Sequence, residues 1–369
     1  MDEFLYKNYD RCIVNLMSSI QQYYHVLPSH TTLPEADRVL AKKEFKNVIV
    51  MVFDAMGQSV LDYHSKPHSF LKQHNISTFH SVIPSTTAAA TTSYLTALTP
   101  IETGWLGWSL YMDEIDKNVD IFTSVDSLTK EYVGVNCGDT YLPYTCVGKQ
   151  IVNQNENVKY YEIWPSFRLN GCKNLKEVYK KLLKLCRNDE KKFIYVYWSQ
   201  PDHDMHDFGP YHKKVTKHIK KINKISHKLF KKTTDTAAFI SADHGQVEVA
   251  PILLYTYYEL MNCLQRLPSL DSRCTSFKVK KGYDKRFISL FEKYFSGKFI
   301  LLSKKEALKK NIFGIGKEHE KADSILGDYI AFAIDKYFFA STPDFHPFKG
   351  HHAGILKDEM LIPFITFDN

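Results

Sequence analysis

The sequence predicts an α/β protein: a mostly parallel central sheet flanked by helices, with a small α+β cap subdomain inserted before the C-terminus. Three observations carry this. Residues 47–53, 193–198 and 237–241 are continuous apolar runs, as strands buried on both faces require. Segments of helical periodicity lie between them, as crossover helices would. Each run leads into an aspartate, Asp54, Asp202 or Asp243, at the strand end where open α/β sheets build their sites.

Composition narrows the class. The 369 residues are 44% hydrophobic and 24% charged, which fits a soluble globular chain with a sizeable core rather than a disordered one. The formal net charge of +7 comes from lysines, many of them in residues 213–232, which read as the solvated face of a long helix. A nucleic-acid module is not expected, because no aromatics interleave regularly with those lysines. Seven cysteines, an odd number with no Cys-x-x-Cys, point to reduced thiols in the cytoplasm rather than a disulfide frame or thiolate metal site. The acidic, polar start does not read as a signal peptide, and no apolar run reaches membrane-spanning length.

Taken in order, residues 9–24 read as an amphipathic helix, with Cys12, Ile13, Leu16, Met17 and Ile20 at helical spacing. Residues 26–36, with Pro28 and Pro34, read as loop. Together residues 1–45 form a helix and linker packing on the core. The 47–53 strand follows, then a helix through Val60 and Leu61, and a short strand at 79–83. Residues 119–123, 132–135 and 160–163 are further strand candidates. Residues 174–186 and 212–232 are helices that place Leu175, Val178 and Leu182, and Val215, Ile219, Ile222 and Leu229, inward. From 251 the pattern changes: an alternating strand at 275–280, a helix at 285–295 and a strand at 298–302 make a cap over 251–329. The metal-binding core is then 46–250 with 330–369, closed by strands at 329–334 and 359–367.

One stretch organises the chemistry. Residues 82–98 run from an apolar pair through Ser85, Thr86 and Thr87 into a small-residue helix. One or two hydroxyls therefore stand at a helix N-terminus, either as a cap or as a group meeting an anion. The three aspartates decide which. Gathered on one sheet edge they would repel strongly without a cation between them. His206, four residues after Asp202, His244 directly after Asp243, and His352 in the late Gly350–Gly354 loop complete an oxygen and imidazole donor set. Such a set suits zinc or manganese in sites that keep an open position. His203 and His351 are the neighbours that could stand in for the favoured ligands.

These residues resemble the alkaline phosphatase superfamily, and within it the type I phosphodiesterase/nucleotide pyrophosphatase branch as found in bacterial cytosolic members. The resemblance rests on Val-Phe-Asp-Ala-Met-Gly (52–57), Ile-Pro-Ser-Thr-Thr (83–87) with the segment 95–104, Pro-Asp-His-Asp-Met-His (201–206), Ser-Ala-Asp-His-Gly-Gln (241–246), and His352 followed by 358–363, in family order. It implies two divalent ions, best matched by Zn²⁺ with Mn²⁺ as the alternative. Asp202, His206 and His352 would hold one, and Asp54, Asp243 and His244 the other. It selects Thr87 as nucleophile over Thr86 and Ser85, and implies a phospho-threonine intermediate. Arg273, in the segment resembling the family's small inserted domain, becomes a candidate anion contact.

Two departures are visible. Ala55 stands where the family usually has Gly, and the 103–108 loop lacks the Asn that nucleotide phosphodiesterases of the family often carry. The expected activity is hydrolysis of a small phosphorylated substrate, a nucleotide among the candidates. A phosphomonoesterase or phosphonoacetate-type hydrolase is the alternative on the same site. A non-catalytic metal-binding regulator on this fold is the alternative of another class.

Overall fold

The computed structural model describes Phe4 and residues 6–369; the remaining residues of the predicted N-terminal segment, Met1–Glu3 and Leu5, lie outside the described residues. The main sheet has six strands in the order Asn75–His80, Leu361–Asp368, Thr236–Ser241, Asn47–Phe53, Lys191–Trp198, Val158–Ile163. The Asn47–Phe53 strand pairs in parallel with Lys191–Trp198 and Thr236–Ser241, and Lys191–Trp198 pairs in parallel with Val158–Ile163. Leu361–Asp368 runs antiparallel to both its neighbours, so the sheet is mixed. All seven residues of Asn47–Phe53 are buried, which is why this segment reads as an unbroken apolar run.

Register aligns the strand ends. Phe53 sits opposite Trp198, and Val52 opposite Ser241. The residues that follow, Asp54, Asp202 and Asp243, therefore leave the sheet at one edge. The turns after them cross with little room: a Cβ on Gly57 would lie 2.5 Å from the Cα of Gly245, and one on Gly245 would lie 1.9 Å from the carbonyl of Asp358. Only glycine permits this crossing, and it holds the Asp54 and Asp243 turns against each other.

The helix predicted at 9–24 spans Ile13–Tyr23, and it is buried on more than one face. Its polar residues are used internally. Asn15 Nδ2 donates to the Thr31 carbonyl at 2.9 Å, and Ser19 Oγ accepts from Leu33 N–H at 2.9 Å. What covers them includes the helix Pro34–Leu40, in a region predicted as loop; Pro34 starts that helix at its first turn rather than breaking one. The small-residue helix Thr87–Thr96 packs on Ile13–Tyr23 and is buried throughout from Ala88.

The expected cap is not a sheet of its own. A second, seven-stranded sheet runs Phe299–Ser303, Tyr329–Ala333, Cys274–Phe277, Ser269–Leu270, Ser109–Met112, Lys117–Asp120, Val125–Asp126. It draws on chain from both sides of the core strands between Val158 and Ser241, joined where Leu270 pairs with Ser109. Tyr329–Ala333, predicted as a core strand, lies inside this sheet, antiparallel to both neighbours. Its apolar side chains fill a core that residues 110–142 share with residues 270–360.

Candidate metal centre

Backbone hydrogen bonds first fix the aspartates. Asp54 N–H donates to the Trp198 carbonyl at 2.9 Å, and Asp202 N–H to the Asp54 carbonyl at 3.2 Å. Asp243 Oδ1 accepts from the N–H groups of Ala55 and His244, both at 3.0 Å. Ala55 adopts a left-handed φ of 56°, a backbone conformation that favours glycine. The Tyr197 hydroxyl donates to Asp54 Oδ2. Asp54 Oδ1 and Asp243 Oδ2 are left buried without a partner. Two orphaned carboxylate oxygens in a buried site are costly unless a cation meets them, so these residues fit a metal ion.

The imidazoles are aimed in the same way. His244 Nδ1 faces the Gly245 carbonyl at 3.0 Å, His206 Nδ1 the Gly350 carbonyl at 2.9 Å, and His352 Nδ1 the Ser85 carbonyl at 3.1 Å. A carbonyl only accepts, so each Nδ1 carries a proton and each Nε2 is the ring nitrogen turned to the site. His206 Nε2 lies 3.2 Å from Asp202 Oδ2, and His352 Nε2 lies 3.8 Å from Asp202 Oδ1. His244 Nε2 lies 3.5 Å from Asp54 Oδ1 and 3.6 Å from Asp243 Oδ2.

Donor atoms converge within 4.8 Å in three overlapping groups: Asp54, Asp243 and His244; Asp202, His244 and His352; and His206, His351 and His352. His351 is committed elsewhere. Its Nδ1 accepts from His352 N–H at 2.9 Å, so its Nε2 carries the proton and points to Ser272 Oγ at 2.6 Å. Helix Asp202–Phe208 puts Asp202 and His206, one turn apart, on the side facing the cluster, while His203 is exposed.

The clustered carboxylates and imidazoles shift one another's titration. Burial, then the charges of Asp243 and Asp202, push Asp54 well above the ordinary carboxylate range. Burial alone would raise Asp202 too, but His206 and its other imidazole neighbours hold it below that range. Burial opposes the charged form of His206, and Asp202 overrides it, so that imidazole titrates above the ordinary value. Burial and the neighbouring imidazoles keep His351 and His352 neutral.

Thr87 stands as the first residue of its helix, with Oγ1 3.2 Å from His244 Nε2. Thr86 is the N-cap in backbone geometry, yet no side-chain cap bond forms. The first N–H groups of the helix are thus not closed off by a side chain. Thr86 and Ser85 are fully buried, and Ser85 Oγ donates to the Gly354 carbonyl at 2.8 Å.

Arg273 is brought elsewhere. It is fully buried against Glu359, and its Nη1 donates to the Asp335 and Tyr337 carbonyls. The expected anion contact is replaced by this internal carboxylate, because residues 271–273 form the turn that docks the second sheet on the metal edge. In the same turn Ser272 holds His351, and burial lifts Asp271 to about 6. Three supporting residues escaped the sequence reading. Tyr197 lay hidden in an apolar strand, Gln246 donates to Asp202 Oδ1 at 2.8 Å, and Glu359 lies far along the chain. Only Gln246 had a signal, its position directly after Asp-His-Gly.

Comparison with known proteins follows this geometry. The profile of the family described as Type I phosphodiesterase / nucleotide pyrophosphatase matches residues 48–343. No curated protein matches significantly. Among solved structures, the fold is similar to murine ectonucleotide pyrophosphatase / phosphodiesterase 5 (15% identity, 87% of this chain and 88% of that chain, TM-score 0.66). The human protein of that name is similar at 17% identity, 87% of each chain and TM-score 0.64. Phosphonoacetate hydrolase from Sinorhizobium meliloti 1021, in complex with phosphonoformate, is similar at 14% identity, 86% of this chain and 89% of that chain, TM-score 0.64.

Proposed function

Because the chain belongs to the type I phosphodiesterase / nucleotide pyrophosphatase family, we propose that it is a metal-dependent hydrolase of phosphate esters, acting on diesters or pyrophosphates through Thr87. The observation that carries this reading is the 3.2 Å approach of Thr87 Oγ1 to His244 Nε2, beside the unpaired oxygens of Asp54 and Asp243. Asp54, Asp243 and His244 would hold one divalent ion, and Asp202, His206 and His352 a second. Oxygen and imidazole donors without thiolate favour Zn²⁺, with Mn²⁺ as the alternative. When bound, such ions supply Lewis-acid activation of a hydroxyl and neutralise charge on the leaving oxygen.

The chain's own groups do the rest. Thr87 gives up its hydroxyl proton to solvent as Oγ1 bonds to phosphorus and the ester P–O bond opposite it breaks; the leaving oxygen departs with the bonding pair and is protonated by solvent, and water then hydrolyses the phospho-threonine to the phosphate product and free Thr87. N–H groups at the start of helix Thr87–Thr96 donate to the non-bridging oxygens. Tyr197 and Gln246 fix the orientations of Asp54 and Asp202. A nucleotide is one candidate substrate. The phosphonoacetate-type alternative is weaker, because Arg273, engaged by Glu359, offers no charge to a substrate carboxylate. Seven buried, unpaired cysteines support the cytoplasm as the compartment. Among the described residues no helix is long and apolar enough to cross a membrane.

Purified protein loaded with Zn²⁺ or Mn²⁺ is expected to cleave bis-p-nitrophenyl phosphate, and chelation to abolish the cleavage. Failure with every divalent ion on diesters, monoesters and phosphonates alike would overturn the reading in favour of a metal-binding regulator.

A further inference from the structure

Between helices Leu175–Cys186 and Lys213–Lys232 lies a groove of ≈ 670 Å³. Lys173, Lys176, Lys180, Lys221, Lys224 and Lys228 border it, and no Asp or Glu does. Among the described residues none of these six ammonium groups has a carboxylate partner within 4 Å. The formal excess of the whole chain is +7, so a charge nearly equal to it is gathered along one groove. Six like charges facing a shared concavity repel one another, and the arrangement becomes favourable when a multivalent anion fills it.

The groove is more than a charged surface. Its floor carries the rings of Tyr179 and of Trp198, the last residue of the Lys191–Trp198 strand. Asn174, the N-cap of the twelve-residue helix Leu175–Cys186, lines the same space, its side chain accepting from the Glu177 N–H at 3.1 Å. His218, also lining it, is engaged by Asp204 at 2.8 Å, and Glu177, beside the groove mouth, is engaged by the Lys173 N–H at 2.7 Å and by Asn174 Nδ2 at 3.2 Å. The volume falls in the range of small-molecule sites, and the combination of ammonium groups with flat rings suits phosphates attached to a planar group.

We propose that this groove is a second binding site, separate from the metal centre, for a polyphosphorylated ligand. The chemistry shared by its possible sources is a run of two or more phosphates: a nucleoside triphosphate supplies it with a ring, an inorganic polyphosphate without one. The lysines hold the phosphates, and Tyr179 and Trp198 receive the ring when there is one. The site does not depend on the metal centre being catalytic.

Calorimetric titration of the metal-loaded protein with tripolyphosphate and with a non-hydrolysable ATP analogue tests this. Both are expected to bind with Kd of about 1 mM or tighter at 0.15 M salt, and to weaken as salt rises. Lys221→Glu with Lys224→Glu is expected to reduce both affinities roughly tenfold or more while leaving bis-p-nitrophenyl phosphate turnover unchanged. The milder Lys221→Gln with Lys224→Gln, checked for an unaltered melting temperature, guards against misfolding and is expected to weaken both ligands in the same direction. A nucleotide preference lost in Tyr179→Ala assigns the nucleotide source; equal affinities assign the polyphosphate chain. Absence of binding, or affinities unchanged in both lysine variants, overturns the proposal. Tight binding of a single-stranded RNA with neither small ligand bound would overturn it in favour of a nucleic-acid surface.

Discussion

Arg273 and Glu359, 86 positions apart, face each other as a fully buried bidentate pair, Nε to Oε1 at 2.7 Å and Nη2 to Oε2 at 2.8 Å. Glu359 also accepts from Gly354 N–H at 2.8 Å and Leu356 N–H at 3.1 Å, and its own carbonyl accepts from Gly245 N–H at 2.8 Å. The pair therefore braces the loops that carry His244 and His352. Arg273→Met strands a buried carboxylate and is expected to cost about 3–5 kcal/mol of stability. Adding Glu359→Gln should recover part of this, because the amide oxygen still accepts from a backbone N–H. Denaturant titration of the two variants measures both effects.

Thr87→Ala is expected to lower turnover roughly a thousandfold or more while metal content stays unchanged. Thr86→Ala should lower it only a few fold, since that hydroxyl does not face His244. Steady-state kinetics with elemental analysis of each variant separates nucleophile from cap. Full activity in Thr87→Ala would transfer the nucleophile assignment to a neighbour.

Metal affinity is expected to rise with pH. Asp54 and His206 both hold their protons above the ordinary range in the metal-free protein. A cation must displace them, so binding is weak at acid pH and strengthens as pH passes His206's raised value, by up to about tenfold per pH unit for each proton released. The sign for stability follows from Asp54. Its raised folded pKa makes the metal-free protein lose stability as pH rises above the unfolded carboxylate value. The gain in melting temperature on metal addition should therefore grow from pH 5 to pH 8.

Tyr197→Phe and Gln246→Ala each remove one hydrogen bond to a candidate ligand, from Asp54 and Asp202 respectively. Each is expected to weaken metal affinity by about 10–100-fold. Competition with a chelating dye reads this without any substrate.

Ala55→Gly should stabilise the fold by about 1 kcal/mol, because the left-handed backbone there carries a Cβ penalty. A rise in thermal midpoint of the metal-free protein checks it. A fall would mean that the buried Ala55 methyl contributes more through packing than its backbone costs.

The clustering of the three aspartates at one sheet edge was legible because parallel buried strands spell themselves as apolar runs, and an aspartate after such a run stands out. The second sheet was not. Ser109–Met112 and Lys117–Asp120 are four residues each and pair with each other, and their place in the larger sheet is set by the pairing of Ser109 with Leu270, far along the chain, rather than by local pattern. Arg273 looked free for an anion because its partner is distant in sequence. Tyr197 looked like core, and most of it is; only its hydroxyl, meeting Asp54, serves the site. The strand predicted at 79–83 ends earlier, at His80, because the chain must turn to carry Ser85–Thr87 over the sheet edge.

The second sheet has a consequence for anyone who would redesign specificity. Its strands come from residues 109–126 and 269–333, laced together through Leu270 and Ser109 around the intervening core. No single cut-and-paste segment contains it. Exchanging residues 251–329 with those of a relative would leave half of a sheet behind and expose unpaired edges on both halves. New selectivity in this protein must therefore be introduced by point changes within the joined sheet, not by cassette exchange.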